Sequence, residues 1–124
     1  MKTDRPVNLN LFKMSWPLAA MTSITHRITG VILFVGVAFA LYALDLGLSS
    51  QAGFDEAAVL LQQPLAKFIL FGLLLALMYH IVAGIKHLLL DFHIGDSLEA
   101  AQTGAIAVIV VTVIVTGVLG ALLW

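Results

Sequence analysis

The sequence predicts an all-α membrane protein with three transmembrane helices, and composition is the first reason. Charged residues make up 10% of the 124 residues and hydrophobic residues 61%, whereas soluble domains carry about 25% charged residues. The second reason is the distribution of the charges, which leaves uncharged stretches at 28–44, 68–85 and 100–124. Because about 20 apolar helical residues span a bilayer, we expect one transmembrane domain over residues 1–124.

The composition also excludes several classes of function. The net charge of −1 and the absence of any basic run argue against nucleic-acid binding. The chain has no cysteine, which excludes disulfides, thiolate zinc sites and iron–sulfur ligation within it. No nucleophile–base pair, phosphate loop or paired carboxylate appears. The N-terminal region has neither a cleavage site nor a transit-peptide composition, so we expect a multi-pass protein of a bacterial inner membrane.

The first predicted helix covers about residues 17–46. Pro17 suits a first helical turn because its φ is fixed and it needs no N–H partner. The sequence Gly47-Leu48-Ser49-Ser50 is expected to end the helix. The segment that follows contains Asp55 and Glu56 and is predicted to be a short acidic loop.

The second helix is predicted over about 64–91 and the third over about 97–124. Pro64 opens the second helix as Pro17 opens the first. Asp96, with Glu99 three residues later, resembles a helix N-cap with its reciprocal acidic partner. The third helix is therefore expected to begin at Ser97.

The basic residues predict that the N-terminus is cytoplasmic and the C-terminus periplasmic. Only Lys67 follows the first span on its far side, and Trp124 suits an aromatic anchor there. Four basic residues precede or begin the first span: Lys2, Arg5, Lys13 and Arg27. Three helices form a thin bundle whose intramembrane polar groups need partners, so a partner chain is expected.

The most informative pattern is a polar stripe on the second predicted helix. At 100° per residue, His87 and Asp91 lie within about 20° of His80 around the helix axis, and Gly84 within about 40°. His80 lies roughly 18 Å from the outer start of its uncharged stretch, past the middle of the bilayer. One interpretation is that its imidazole only fixes helix packing. The other, favoured by the small residues beside it, is axial ligation of a haem iron.

A second axial ligand cannot come from the same stripe. His80 and His87 are about 10.5 Å apart along the helix, whereas two axial nitrogens must face each other across one iron. Within the chain His26 is the remaining candidate, but it lies beside Arg27 at the start of the first helix. We therefore expect the second ligand from a partner chain, with His26, Arg27 or His87 near the haem propionates.

Ser23 and Arg27 form a second candidate site because residues four apart share a helix face. A hydroxyl beside a fixed cation at the membrane boundary could hold a carbonyl oxygen, and a quinone would suit an apolar pocket with few polar groups. The alternative is that Arg27 is a snorkelling anchor and Ser23 a helix-start residue.

Three motifs together resemble the cytochrome b subunit family of succinate dehydrogenase. They are Arg5-Pro6-Val7-Asn8-Leu9, Ser23-x-x-His26-Arg27-x-Thr29-Gly30 and His80-x-x-x-Gly84-x-x-His87-x-x-x-Asp91. They occur in the family's order and extend over nearly the whole chain.

The resemblance implies a membrane-anchor subunit of an enzyme complex that is not catalytic alone. A second three-helix anchor would share one haem b, and an iron–sulfur subunit and a flavoprotein carrying FAD would attach on the cytoplasmic side. His80 matches the family's haem ligand, Ser23 and Arg27 match its ubiquinone site, and His26 and His87 match the haem surroundings. Electrons from succinate would reach ubiquinone at the membrane boundary, linking the tricarboxylic acid cycle to the respiratory chain.

Two alternatives remain open at this point. A fumarate reductase anchor would run the same reaction in reverse with menaquinol, and direction depends on cofactors in other subunits. A haem-free structural anchor would use its histidines only for packing or proton relay. Association of complexes into trimers is also left open.

Overall fold

A computed structural model describes residues 16–124, which form four helices. They are α1 (Leu18–Ser49), α2 (Gln51–Gln62), α3 (Pro64–Asp91) and α4 (Leu98–Leu123). No strand occurs in this part of the chain. The predicted motif at residues 5–9, and the basic residues Lys2 and Lys13, lie outside the described range.

The three long helices α1, α3 and α4 are each long and apolar enough to cross a membrane. Their lengths are 32, 28 and 26 residues, and about 20 helical residues match the hydrocarbon thickness. Inside lipid, a helix satisfies its own backbone hydrogen bonds, which makes it the stable form for such segments. The prediction of an all-α, multi-pass membrane protein is confirmed.

The predicted acidic loop between the first two spans is wrong, because most of that segment is helix α2. Ser50 caps this helix, its Oγ accepting a hydrogen bond from the backbone N–H of Gly53 at 2.9 Å. A capping hydroxyl satisfies a helix N–H that has no partner within the helix. Gln63 is extended because the following Pro64 disfavours helical backbone before it, so a new helix starts there.

The connection between α3 and α4 also differs from the predicted cap. Ser97, and not Asp96, caps α4, with its Oγ accepting from the N–H of Ala100 at 3.1 Å. Asp96 instead lies 3.4 Å from the ring of His93. His93 and Gly95 have φ values of 58° and 70°, and this left-handed backbone turns the chain into α4.

Small residues bring the long helices close together in an antiparallel arrangement. Gly36 on α1 faces Leu73 on α3, and Gly120 on α4 faces Phe71 on α3, with no room for a Cβ at either glycine. Thr112, Thr116 and Gly120, spaced four residues apart, are all buried, so they form a packing face of α4. At the same end of the bundle, the Lys67 ammonium lies 5.9 Å from the centre of the Trp124 ring.

Most apolar side chains nevertheless point away from the bundle. Only 6%, 17% and 22% of the most apolar windows of α1, α3 and α4 are buried within the chain. A soluble protein would not expose so much apolar surface. Lipid or other subunits must therefore cover these helices.

Candidate functional site

His80 is held in place by two acceptors on the neighbouring helix α1. Its Nδ1 lies 3.1 Å from the backbone carbonyl oxygen of His26 and 3.1 Å from Oγ1 of Thr29. The Thr29 hydroxyl itself donates to the same His26 carbonyl at 2.8 Å. The three groups thus form a small hydrogen-bonded network between α1 and α3.

This network determines which nitrogen of His80 carries the proton. A carbonyl oxygen can only accept, so Nδ1 must be the donor, and the neutral ring then has its lone pair on Nε2. Ligating histidines commonly donate their other ring N–H to a carbonyl, which fixes tautomer and ring orientation. His80 has this arrangement, with the carbonyl of His26 as the acceptor.

The imidazole of His26 stacks on the imidazole of His80. The ring centroids are 3.9 Å apart and the planes differ by 11°. His87 meets the His26 ring edge-on, with centroids 5.1 Å apart. The structure therefore brings together three histidines that the sequence analysis had placed on two separate helices, and all three are half-buried.

Two glycines make room for the stacked rings. A Cβ on Gly30 would lie 3.2 Å from Cε1 of His80, and a Cβ on Gly84 would lie 3.4 Å from Nε2 of His26. Each imidazole thus packs on the glycine four residues after the other histidine. This close approach of backbone and ring explains why glycine occurs at both positions of the two motifs.

The stack does not let His26 and His80 ligate one iron from opposite sides. The ligating lone pair of an imidazole lies in the ring plane, and in a stack the two planes run side by side instead of meeting end to end. The described residues also contain no group of three or more His, Cys, Asp or Glu that could hold a bare metal ion. Stacking leaves the in-plane direction from Nε2 of His80 unblocked by the His26 ring.

Ser23 and Arg27 lie one turn apart on α1, beside the histidine cluster in the chain. Ser23 is half-buried and Arg27 is exposed. No hydrogen bond or ion pair joins either side chain to another residue in the range 16–124. Asp91 is exposed, and the described part of the chain gives it no ion pair with Lys86 or Arg27.

Tyr79 is a site residue that the sequence analysis did not identify. Its phenol donates a 2.8 Å hydrogen bond from α3 to the backbone carbonyl of Thr22 on α1. A tyrosine hydroxyl within a membrane span needs such an acceptor. This need, together with its position beside His80, could have identified Tyr79 from the sequence.

The comparisons with known proteins all identify the same family. The family model of the succinate dehydrogenase/fumarate reductase transmembrane subunit matches residues 1–119. The chain is 34% identical to the succinate dehydrogenase cytochrome b556 subunit of Coxiella burnetii over the full length of both. It is 35% identical to the Paracoccus denitrificans protein of that name, over 90% of this chain and 85% of the relative. It is also 34% identical to the mitochondrial cytochrome b560 subunit of Bos taurus, over 90% of this chain and 67% of the relative.

Proposed function

From the premise that this chain belongs to the succinate dehydrogenase/fumarate reductase transmembrane subunit family, we propose that it is the haem b-binding membrane anchor of a bacterial succinate:quinone oxidoreductase. The resemblance derived from the three motifs is thereby confirmed at the level of the family. The relatives named above are succinate dehydrogenase cytochrome b subunits, which favours succinate oxidation over fumarate reduction. The observation that carries the proposal is the tethered imidazole of His80.

The residues around His80 fit a haem. Nδ1–H is engaged by the His26 carbonyl and Thr29, which leaves Nε2 as the ligating atom, and Gly30 supplies space beside the ring. A bound haem b supplies a one-electron carrier whose potential depends on its axial ligands and surroundings. In this proposal His80 holds the iron, while His26, Arg27 and His87 lie near the haem propionates.

A second protein ligand for the haem would come from a second membrane anchor. The parallel planes of His26 and His80 do not suit two ligands on one iron, and the exposed apolar faces of α1, α3 and α4 leave ample surface for another helical subunit. A haem held between two subunits would join them, so haem binding and assembly of the anchor are expected to depend on each other.

Ser23 and Arg27 are proposed to line part of a ubiquinone site at the cytoplasmic membrane boundary. The Ser23 hydroxyl would donate a hydrogen bond to a quinone carbonyl. The Arg27 guanidinium, always charged, would stabilise negative charge on the oxygen as it is reduced. Two electrons and two protons convert the quinone to the quinol. The succinate site, the FAD and the iron–sulfur clusters are proposed to lie on the flavoprotein and iron–sulfur subunits, so that this chain contributes only to the pocket.

The test is the reduced-minus-oxidised spectrum of the complete complex carrying His80→Ala. We expect the low-spin b-type signal to be lost or to change ligation, because no other side chain in the range 16–124 offers a nitrogen fixed in this way. His93→Ala is the matched control, since His93 is exposed in the loop between α3 and α4 and its loss should leave the spectrum unchanged. An unaltered spectrum in assembled His80→Ala complex would move the ligand elsewhere, and absence of haem in the assembled wild-type complex would leave only the anchor and quinone roles.

A further inference from the structure

Two adjacent residues of α3 donate hydrogen bonds to two successive turns of α1. Tyr79 donates from its phenol to the carbonyl of Thr22 at 2.8 Å, and His80 donates from Nδ1 to the carbonyl of His26 at 3.1 Å. Thr22 and His26 are four residues apart, so their carbonyls lie one above the other on the same face of α1. The two bonds form a pair of cross-links between the helices.

Each bonded carbonyl belongs to the peptide group that immediately precedes a residue of the proposed quinone site. The carbonyl of Thr22 shares its planar peptide unit with the nitrogen of Ser23, and the carbonyl of His26 shares one with the nitrogen of Arg27. Because the peptide unit is rigid, holding the carbonyl oxygen restricts the backbone position from which the next side chain extends.

Two threonine hydroxyls in this part of α1 donate within α1, although the Thr25 hydroxyl also contacts the Tyr79 phenol and the Thr29 hydroxyl contacts His80. Thr22 donates to the Ala19 carbonyl and Thr25 to the Met21 carbonyl, both within α1 itself. Tyr79 is the residue of α3 that donates to the carbonyl preceding Ser23. Thr22 is buried there, whereas Ser23 is only half-buried.

We propose that Tyr79 is a positioning residue for the quinone site, acting through the Thr22 carbonyl to set the location of the Ser23 hydroxyl relative to His80. This inference rests on the proposed quinone role of Ser23. Tyr79 does not touch the quinone in this arrangement. It fixes the distance between a group on α1 that binds substrate and a group on α3 that binds the haem.

The experiment is steady-state reduction of a short-chain ubiquinone by the complete complex carrying Tyr79→Phe. Phenylalanine keeps the ring and removes only the hydroxyl. Since one such hydrogen bond changes an equilibrium by about 2- to 10-fold, we expect the quinone KM to rise by about that factor. The kcat, the haem spectrum and the amount of assembled complex should stay close to wild type. Tyr42→Phe is the control, because Tyr42 is exposed and makes no hydrogen bond in the described part of the chain.

A double-mutant cycle separates positioning from simple stabilisation. If Tyr79 acts through Ser23, Tyr79→Phe should raise KM in wild type and add little in a Ser23→Ala background. An unchanged KM in Tyr79→Phe, with KM raised by Ser23→Ala, overturns the positioning role and leaves the quinone site standing. An unchanged KM in Ser23→Ala overturns both. Equal, independent rises in the two backgrounds also overturn the positioning role.

Discussion

At the scale of single residues, one backbone carbonyl organises the site. The oxygen of His26 accepts from both the Thr29 hydroxyl and Nδ1 of His80, so a peptide group on α1 decides the tautomer of an imidazole on α3. The sequence predicted His80 on a polar stripe of the second helix, and the structure places its ring against α1. The sequence could not indicate this acceptor, because every residue has a main-chain oxygen. Which of these oxygens faces His80 depends on how α1 and α3 align in the folded protein.

Replacing threonine by valine at two positions tests how much the Thr29 hydroxyl contributes to the stability of the assembled complex. Thr29→Val removes an acceptor from His80 and a donor from the His26 carbonyl, so it should destabilise the assembled complex by about 1 kcal/mol. Thr116 is the matched control, since its buried hydroxyl has no hydrogen-bond partner in the described range. Thr116→Val should therefore be neutral or slightly stabilising. The measurement is the temperature at which the complex loses its haem absorbance, and equal shifts in the two variants would contradict the assignment.

At the scale of helices, hydropathy and charge spacing accounted for the three long elements because a bilayer constrains length and composition so strongly. The missed helix α2 shows where this reasoning stops. Asp55 and Glu56 led to a loop prediction for this segment. The capping serine at position 50 and the helix-forming run Ala57-Ala58-Val59-Leu60-Leu61 are nevertheless typical of a short helix. The α4 cap was misplaced by one residue because Asp96 and Ser97 are both good capping residues.

Gly53 is the residue on which the corner between α1 and α2 depends. A Cβ at this position would overlap the Leu46 carbonyl oxygen and Oγ of Ser49, so Gly53→Ala should open the corner between the two helices. We expect faster cleavage near residues 47–53 by a protease added to the outer side of the membrane. Gly47→Ala is the control, since nothing lies within 4 Å of the added Cβ there. Equal cleavage of both variants and wild type would show that the corner tolerates the methyl group.

At the scale of the whole molecule, the three spans and the distribution of basic residues imply one orientation. The loop between α3 and α4 should be cytoplasmic, together with the N-terminus, and α2 should lie on the periplasmic side. The Lys67 ammonium lies 5.9 Å from the centre of the Trp124 ring, and this orientation would put the pair at the periplasmic membrane boundary, which suits an aromatic ring and a long cationic side chain.

This orientation can be measured directly because the native chain contains no cysteine. We expect Glu56→Cys, on α2, to react with a membrane-impermeant maleimide applied to intact spheroplasts. Asp96→Cys should react only after the membrane is permeabilised. The cysteine-free chain gives the background, and labelling in the reverse order would invert the topology and move the proposed quinone site to the other side.

The packing of one histidine from each of α1 and α3 on a glycine of the other helix has a consequence for assembly of the bundle. His80 packs on Gly30 and His26 packs on Gly84, so both contacts depend on a single alignment of the two antiparallel helices. Sliding one helix past the other by one turn, about 5.4 Å, in one direction would oppose His80 to Phe34 and His26 to Leu88 in place of the two glycines. In that misaligned pairing each imidazole would face a large side chain where the native pairing has a glycine. The two glycines that accommodate the rings therefore also favour the native alignment of the two helices.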